Sequence, residues 1–388
     1  MSLGRPDNLN VLELGMHERG AGGGADRYFW DLFDNLKLFP ELTLRAFHFQ
    51  HQGKGSGGTE NEECLGSTRL AASRRLLNLR RAVLPKLRLA GNGPHLVASH
   101  FALYAAALLP GLARVPHVVH FHGPWAIEAA VERGNPLNVF MKRALERLIY
   151  PTADAFITLS QSFKNLLTLE YKVDPRRVHV IPGGVDILRF FPCDRRKARA
   201  RLGWPQDVPI LFCLRRLARR MGLEILLEAF REAAAHRPDA ILMIGGTGPL
   251  RAELEARIGG YGLTHRVRLL GFVPEQELAL AYQAADLSIV PSQSLEGFGL
   301  TTLESLACGT PVLVTPVGGL PETVGSLEPK LVLADATTGT LAKSLDQFLS
   351  GGLALPSPED CRRYVELNFS WSKIAKQVSN VYWEVATG

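Results

Sequence analysis

The sequence has little cysteine. Its 388 residues include five, Cys64, Cys193, Cys213, Cys308 and Cys361, scattered without a CxxC pair. That pattern excludes a disulfide framework and a cysteine zinc site, and it suits reduced thiols in a cytosol. No uncharged apolar run is long enough to cross a bilayer and no apolar leader opens the sequence, so a cytoplasmic protein is expected. The glycine-rich run after the first apolar strand is not GxGxxG, so no dinucleotide fold is read from it. Aromatic residues are only 8 % of the chain and are not interleaved with the arginines as in a groove that stacks single-stranded bases, so no nucleic-acid partner is expected. What is present is globular: 46 % apolar, 21 % charged, net charge +6. The length gives room for two domains, and the charge points to an anionic partner.

The most informative stretch is Pro291 to Val324. It reads as a tight loop (Glu296, Gly297, Phe298, Gly299), a helix from Leu300 to Ala307 stopped by Gly309, and a buried strand at Pro311 to Thr315. Gly297 and Gly299 let the backbone bend and approach a ligand. The amides of Leu300, Thr301 and Thr302 would lack intrahelical partners and so form a site for an anion. Glu304 tilts back toward that helix start, and Glu296 faces it from the loop. Amides for a phosphate and carboxylates for hydroxyls is the chemistry of a nucleotide sugar. Taken alone, the segment reads equally well as a plain loop–helix–strand unit whose acids favour the helix dipole.

Around it the chain alternates strands and helices. Asn10–Gly15 is a strand, followed by a glycine-rich turn and a helix from about Ala25 with Tyr28, Phe29, Leu32, Phe33 and Leu36 on its buried face. This is how a doubly wound sheet begins. Thr43–Gln50 reads as a second strand and 53–63 as a polar loop. In 69–90, Arg69, Arg74, Arg75, Arg80, Arg81, Lys86 and Arg88 occur with no acid between them. Such a basic amphipathic helix is a candidate for lying on an anionic bilayer, at the inner face of the plasma membrane. It is equally an ordinary surface helix with solvated arginines. His95–His100 and Pro116–His122 read as parallel strands joined by a helix at Ala102–Leu112. His120 and His122 share a strand face, but no neighbouring carboxylate or cysteine completes a metal set, so no metal site is assigned.

Further helices are expected at Met141–Tyr150 and from Ser160, with strands at Ala155–Leu159 and Val178–Pro182. The second half restarts with a strand at Pro209–Leu214, after which Arg215, Arg216, Arg219 and Arg220 crowd one loop. They repel one another unless an anion binds, and a guanidinium suits a pyrophosphate. Leu223, Leu226, Leu227 and Phe230 give the next helix its apolar face. Strands follow at Ala240–Gly245, Val267–Leu270 and Asp286–Val290, with helices after Gly248, at Leu278–Ala284 and at Gly339–Leu349.

The pattern E-G-F-G-x-x-x-x-E followed by A-x-G-T-P-V resembles the C-terminal signature of the family 4 retaining glycosyltransferases, through Glu296, Gly297, Phe298, Gly299, Glu304, Ala307, Gly309, Thr310, Pro311 and Val312. Nearly the whole chain follows the family, least so residues 50–92. The resemblance implies an α/β GT-B fold, two doubly wound Rossmann-like domains facing across a cleft. Residues 1–183 would form the acceptor-side domain, completed by a tail helix at 370–388, and 184–369 the nucleotide-sugar domain. Gly23, Gly24, Arg27 and Tyr28 match a turn near the donor phosphates, and His122 matches a histidine over the donor sugar. Gly183–Pro192 matches the interdomain connector, whose glycines suit a hinge. Arg216 matches the diphosphate-clamping arginine, but Met221 stands where the family has lysine, leaving Arg219 or Arg220, with Arg220 preferred, to supply the second charge. Gly246 and Gly248 match the loop beside ribose and diphosphate, and Phe272 and Val273 the segment reading the base. Leu300 and Thr301 would help hold phosphate, Glu304 the ribose, and Glu296 the sugar.

No D-x-D occurs in the chain. The resemblance therefore implies a metal-independent, cofactor-free hexosyl transfer from a UDP- or GDP-sugar to a glycan, lipid-linked glycan or glycolipid hydroxyl. A GT-B nucleotide-sugar 2-epimerase and a non-catalytic nucleotide-sugar binder are the alternatives.

Overall fold

A computed structural model describes residues 7–17, 23–50, 61–88 and 93–388. The chain divides into two compact units, Met1–Gly184 with Trp371–Gly388, and Val185–Ser370. In the first unit the strands are β1 (Leu9–His17), β2 (Leu42–Gln50), β3 (Glu62–Ser67), β4 (Leu96–Ser99), β5 (His117–Phe121), β6 (Ala155–Thr158) and β7 (Val178–Val180). They form a parallel sheet in the order β3-β2-β1-β4-β5-β6-β7. The second unit has β8 (Ile210–Leu214), β9 (Ile241–Gly245), β10 (Val267–Gly271), β11 (Leu287–Val290) and β12 (Val312–Val314). These are also parallel, in the order β10-β9-β8-β11-β12.

Both orders run outward from a first strand and then return to its other side. The reversal falls between β1 and β4 in one sheet and between β8 and β11 in the other. Connections leave adjacent strands toward opposite faces there, opening a crevice beyond the strands' carboxyl ends where ligands of such sheets bind.

Side-chain alternation fixes which residues reach each face. In the first sheet Leu12, Leu14, Phe47, Phe49, Val97, Val119 and Phe121 join one apolar core. The alternate positions Glu13 and His120 are buried on the other side, with Tyr28 of the helix Gly24–Leu36 and Tyr382 of the helix Trp371–Thr387. The first of these helices buries Tyr28, Phe29, Leu32, Phe33 and Leu36 as the periodicity predicts, each large apolar side chain contributing about 1.5–3 kcal/mol. In the second unit Leu211, Cys213, Leu223, Leu226, Leu227, Phe230, Leu242, Ile244 and Ile289 build the core.

Several elements differ from expectation. Residues 53–60 of the expected polar loop, and much of the glycine-rich turn before Gly23, lie outside the described residues. The end of that loop is β3, an edge strand whose polar Glu62 and Glu63 hide it from a hydrophobicity reading. The helix expected at Ala102–Leu112 is two short ones, Ala102–Ala106 and Leu109–Leu112. Pro110 has no amide to bond back to Ala106, so the first helix stops and the second takes the proline into its first turn. Helices at Trp125–Val131, Arg195–Leu202, Leu320–Val324 and Pro358–Phe369 were not anticipated.

The helix Arg195–Leu202 is tied to the second sheet by a buried guanidinium. Arg199 donates to the carbonyls of Ala284 (2.9 Å) and Val208 (3.1 Å) and to Asp286 (2.6 Å), which also accepts the Ile210 amide (2.7 Å). Replacing Arg199 with methionine strands these acceptors and should cost about 3–5 kcal/mol, read as a lower urea midpoint for the second unit.

Candidate active site

At the carboxyl ends of β8, β9 and β11 the loops are bonded to each other through their backbones. Leu217 N donates to Thr247 O (2.9 Å), Leu250 N to Leu217 O (3.0 Å), Gly246 N to Gly271 O (2.7 Å), and Gln293 N to Arg220 O (2.7 Å). This closeness depends on glycine. Gly246 has φ +128°, and a Cβ there would lie 1.9 Å from the Arg215 carbonyl oxygen. At Gly222, φ +73°, a Cβ would lie 1.9 Å from the Pro291 carbonyl oxygen. Gly248 also lies tight against Leu217, where a Cβ would meet the carbonyl oxygen at 2.4 Å.

The helix at the centre of the sequence reading is Leu300–Ala307, entered through Gly299 at φ +85°. The Thr302 amide is not free as expected: it bonds to Gly299 O at 2.8 Å, as does its hydroxyl at 2.7 Å. The amides of Leu300 and Thr301 meet no acceptor among the described residues, and the buried Thr301 hydroxyl has no partner there either. Three unsatisfied polar groups at one helix start have the chemistry to receive an anion.

The acids and arginines divide between this site and the scaffold. Glu304 is buried and accepts the Tyr282 hydroxyl at 2.9 Å. Glu296 accepts from the Ser292 hydroxyl (2.8 Å) and pairs with Arg215, whose guanidinium also reaches Ser292. The mutual repulsion expected of the four arginines is thus relieved in part by the protein itself, through acids paired with Arg215 and Arg219. Arg219 is exposed and pairs with Glu224 (3.3 Å) and Glu253 (3.0 Å), while Arg220 donates to Leu295 O (3.1 Å) on the loop that carries Glu296. Arg216 is exposed, and its guanidinium has no partner among the described residues. The Phe298 ring is buried against Phe369, with centroids 5.9 Å apart. Phe272 is 67 % exposed, and Val273 lies beside it against Gly245. Gly297 and Gly299 lie in the loop before the helix. Gly23 caps the helix Gly24–Leu36, and no described atom lies within 4 Å of a Cβ placed at Gly23.

His122 follows β5 directly and remains partly exposed. Sequence reading saw no carboxylate near it, but the β1–β4–β5 pairing brings one from far along the chain. His122 Nε2 bonds to His100 Nδ1 (3.0 Å), and His100 Nε2 to Glu13 Oε2 (3.1 Å). Tyr382 donates to Glu13 Oε1 (2.9 Å) and bonds to His120 Nε2 (2.7 Å), and Tyr28 approaches His120 Nδ1 (3.4 Å). Among the described residues no group of three or more His, Cys, Asp or Glu is arranged to hold a metal ion. Burial raises the Glu13 carboxyl to about 8, the Tyr382 hydrogen bond acting the other way. Burial pushes His100 and His122 down to about 3, against the pull of the Asp26 charge, and His120 well below its ordinary value. Tyr28 and Tyr382 are pushed up, first by burial and then by the Glu13 charge. The signal available in the sequence was an acid inside an apolar strand, Glu13 in NVLELG.

Residues 51–189 match the family described as Glycosyltransferase Family 4, and residues 194–367 the family described as Glycosyl transferases group 1. The D-inositol 3-phosphate glycosyltransferase of Corynebacterium diphtheriae is 30 % identical over 302 residues, covering 75 % of this chain and 70 % of that protein. The chain belongs to glycosyltransferase family 4. Among solved structures, sucrose-phosphate synthase from Thermosynechococcus elongatus superposes with a TM-score of 0.79 at 24 % identity, covering 97 % of this chain and 99 % of that one. Anabaena HepE in complex with UDP and glucose superposes with a TM-score of 0.75 at 20 % identity, covering 96 % and 99 %. The glycosyltransferase therefore has the GT-B fold, and it is an enzyme of the transferase class.

The buried groups give the glycosyltransferase a pH signature. A folded Glu13 that keeps its proton to about pH 8 stabilises the protein below the ordinary carboxyl range, and that contribution falls away between pH 4.5 and about 8. Neutral His100 and His122 act oppositely: stability is present above pH 6.5 and is lost as pH falls toward about 3. Where the windows overlap the two histidines outweigh the one carboxyl, so Tm should rise to a maximum near pH 6.5 and decline toward pH 8. Glu13→Gln should remove the alkaline decline and keep the acid one, as read by differential scanning calorimetry.

Proposed function

We propose that this glycosyltransferase moves a hexose from a UDP- or GDP-sugar to a hydroxyl acceptor with retention at the anomeric carbon and without a metal ion. The observation that carries the reading is the helix start at Leu300 and Thr301, with two unpaired amides and the unpaired Thr301 hydroxyl. The diphosphate would sit there, neutralised by Arg216 and Arg220 and by the helix dipole. Glu304, oriented by Tyr282, would accept from the ribose hydroxyls. Glu296, fixed by Arg215 and Ser292, would accept from hydroxyls of the sugar. Gly246 and Gly248 would admit the donor's ribose and phosphates, and Phe272 and Val273 would border the base. In the first unit, His122 and the helix start at Gly23 and Gly24 would serve the acceptor.

In the step itself the acceptor oxygen attacks C1 and the bond from C1 to the β-phosphate oxygen breaks. The acceptor proton passes to that leaving oxygen on the same face of the sugar. The names of the relatives, which act on inositol phosphate or on a phosphatidylinositol mannoside, support a polyol, glycan or lipid-linked acceptor.

A thermal-shift panel of UDP, GDP, ADP and their hexose conjugates tests this, because a ligand that binds the folded state raises Tm by mass action. Arg216→Ala should weaken every diphosphate by roughly 10- to 100-fold, and EDTA should leave transfer unchanged. Loss of one base alone, or loss of activity in EDTA, overturns the placement.

Peripheral contact with an anionic membrane, expected at 69–90, has a second candidate surface in the helix Pro136–Ile149. The helix Ala72–Val83 buries Leu79 and Val83, and Leu84 and Leu87 beyond it are buried too, which leaves Leu77 (43 %) as its exposed large apolar side chain beside the arginines. The helix Pro136–Ile149 exposes Leu137 (66 %), Phe140 (69 %), Met141 (62 %) and Leu148 (55 %) along one stripe. Arg143 and Arg147 are exposed on the same helix. Flotation with phosphatidylserine-containing vesicles should be lost in Phe140→Glu and kept in Arg81→Ala. The reverse result would return the contact to the first helix.

A further inference from the structure

The buried polar groups of the first unit form a continuous chain. Glu13 on β1, His100 just past β4 and His122 just past β5 come together because those strands are neighbours at the sheet's reversal. Glu13 and His100 are 1 % and 3 % exposed. His122 alone reaches the surface, and its Nδ1 has no protein partner among the described residues. The rings are near-parallel, His100 against His122 at 5.3 Å and 23°, and His100 against His120 at 4.1 Å and 10°. Tyr28 meets the His122 ring edge-on at 5.1 Å and Trp371 at 5.5 Å, which fixes the outer ring from the side.

We propose that Glu13 and His100 are positioning residues that control which nitrogen of His122 carries a proton, forming a relay from a buried acid to the carboxyl edge of the first sheet. The hydrogen-bond inventory allows two arrangements. Tyr382 donates to Glu13 Oε1, so an acid proton resides on Oε2 and is donated to His100 Nε2. His100 then carries its hydrogen on Nδ1 and donates to His122 Nε2, and His122 holds its own hydrogen on Nδ1. When Glu13 is ionised, Oε2 accepts from His100 Nε2–H. His100 Nδ1 is then bare and must accept from His122 Nε2–H.

Passing between these neutral-ring arrangements balances proton by proton. The Glu13 proton moves to His100 Nε2, the His100 Nδ1 proton moves to His122 Nε2, and the His122 Nδ1 proton leaves the protein. The negative charge stays on Glu13. A neutral imidazole N–H is ordinarily far too weak an acid to leave near neutral pH. Here it leaves with the acidity of the buried carboxyl, which burial sets at about 8. The groups facing the relay are Asp26 and Tyr28 from the helix Gly24–Leu36, His120 from β5 and Tyr382 from the helix Trp371–Thr387. The Asp26 charge favours protons on His100 and His122, a charge on His100 opposes one on His122, and both rings oppose a charge on His120. The relay stands on these contacts alone, and its use on a sugar hydroxyl rests on the function proposed above.

Long-range 1H–15N correlation on the full chain, labelled with 15N-histidine, reads tautomers directly. In the wild type His100 and His122 should carry Nδ1–H at low pH and change together to Nε2–H through a midpoint near 8. In Glu13→Gln, whose carboxamide NH2 donates permanently to His100 Nε2, both rings should stay Nδ1–H throughout. His117, bonded instead to Ser99 Oγ at 2.8 Å, reports an intact fold. Tyr382→Phe removes the hydrogen bond that lowers the Glu13 value and should keep the joint change while moving its midpoint up, which tests the relay even if Glu13→Gln fails to fold. Independent titration of the two rings, or tautomers unchanged across pH in the wild type, overturns the relay. With UDP-glucose as probe, the alkaline limb of kcat should disappear in Glu13→Gln with KM unchanged. A joint tautomer change without UDP-glucose turnover would keep the relay and refute its use on that donor.

Discussion

Parallel strands with a reversal in their order leave two neighbouring loops pulling toward opposite faces, and a gap opens between them. The buried polar clusters of this glycosyltransferase are placed by that constraint. In the second unit the gap lies beyond β8 and β11, and Arg215, Ser292 and Glu296 close on one another there. In the first it lies beyond β1 and β4, where Glu13 and His100 meet. Polar groups placed so deep need partners, because an unsatisfied buried acid or imidazole costs more than most single contacts return.

Glycine sets how closely the loops approach. At Gly222, Gly246 and Gly318 a Cβ would lie 1.9 Å from a neighbouring carbonyl oxygen, and all three have positive φ. The Gly318 contact is with Glu296 itself, whose carbonyl also accepts the Gly319 amide at 3.0 Å. The carboxylate is thus held through its backbone as well as its side chain. The neighbouring Phe298 acts as an anchor, its ring sunk against Phe369.

Local order was largely legible in the sequence. The helix Leu300–Ala307 has the bounds that its glycines dictate, and the apolar faces of Gly24–Leu36 and Leu223–Ala233 are buried as periodicity requires. One missed helix carried a readable signal: Ser357 caps Pro358–Phe369 by accepting the Asp360 amide at 3.1 Å, with proline in the first turn. Partners distant in sequence were not legible. Glu13 and His100 are 87 positions apart, and Arg215 and Glu296 are 81 apart. Each pair meets only because the strand order is 3-2-1-4, which no local pattern encodes. Arg215 was noticed as a charge in a crowded loop, but its engagement with Glu296 depends on a strand pairing seen only in the fold.

The helix Trp371–Thr387 belongs to the first unit although the whole second unit precedes it in the chain. Tyr382 donates to Glu13, 369 positions earlier in the chain. A nascent chain emerging from the ribosome therefore carries an acid in its opening strand that waits, without this donor, while more than three hundred residues are added. The sheet of the first unit reaches its final polar pairing only after the whole second unit has been made, so premature termination anywhere in the second unit leaves the earlier-made part incomplete.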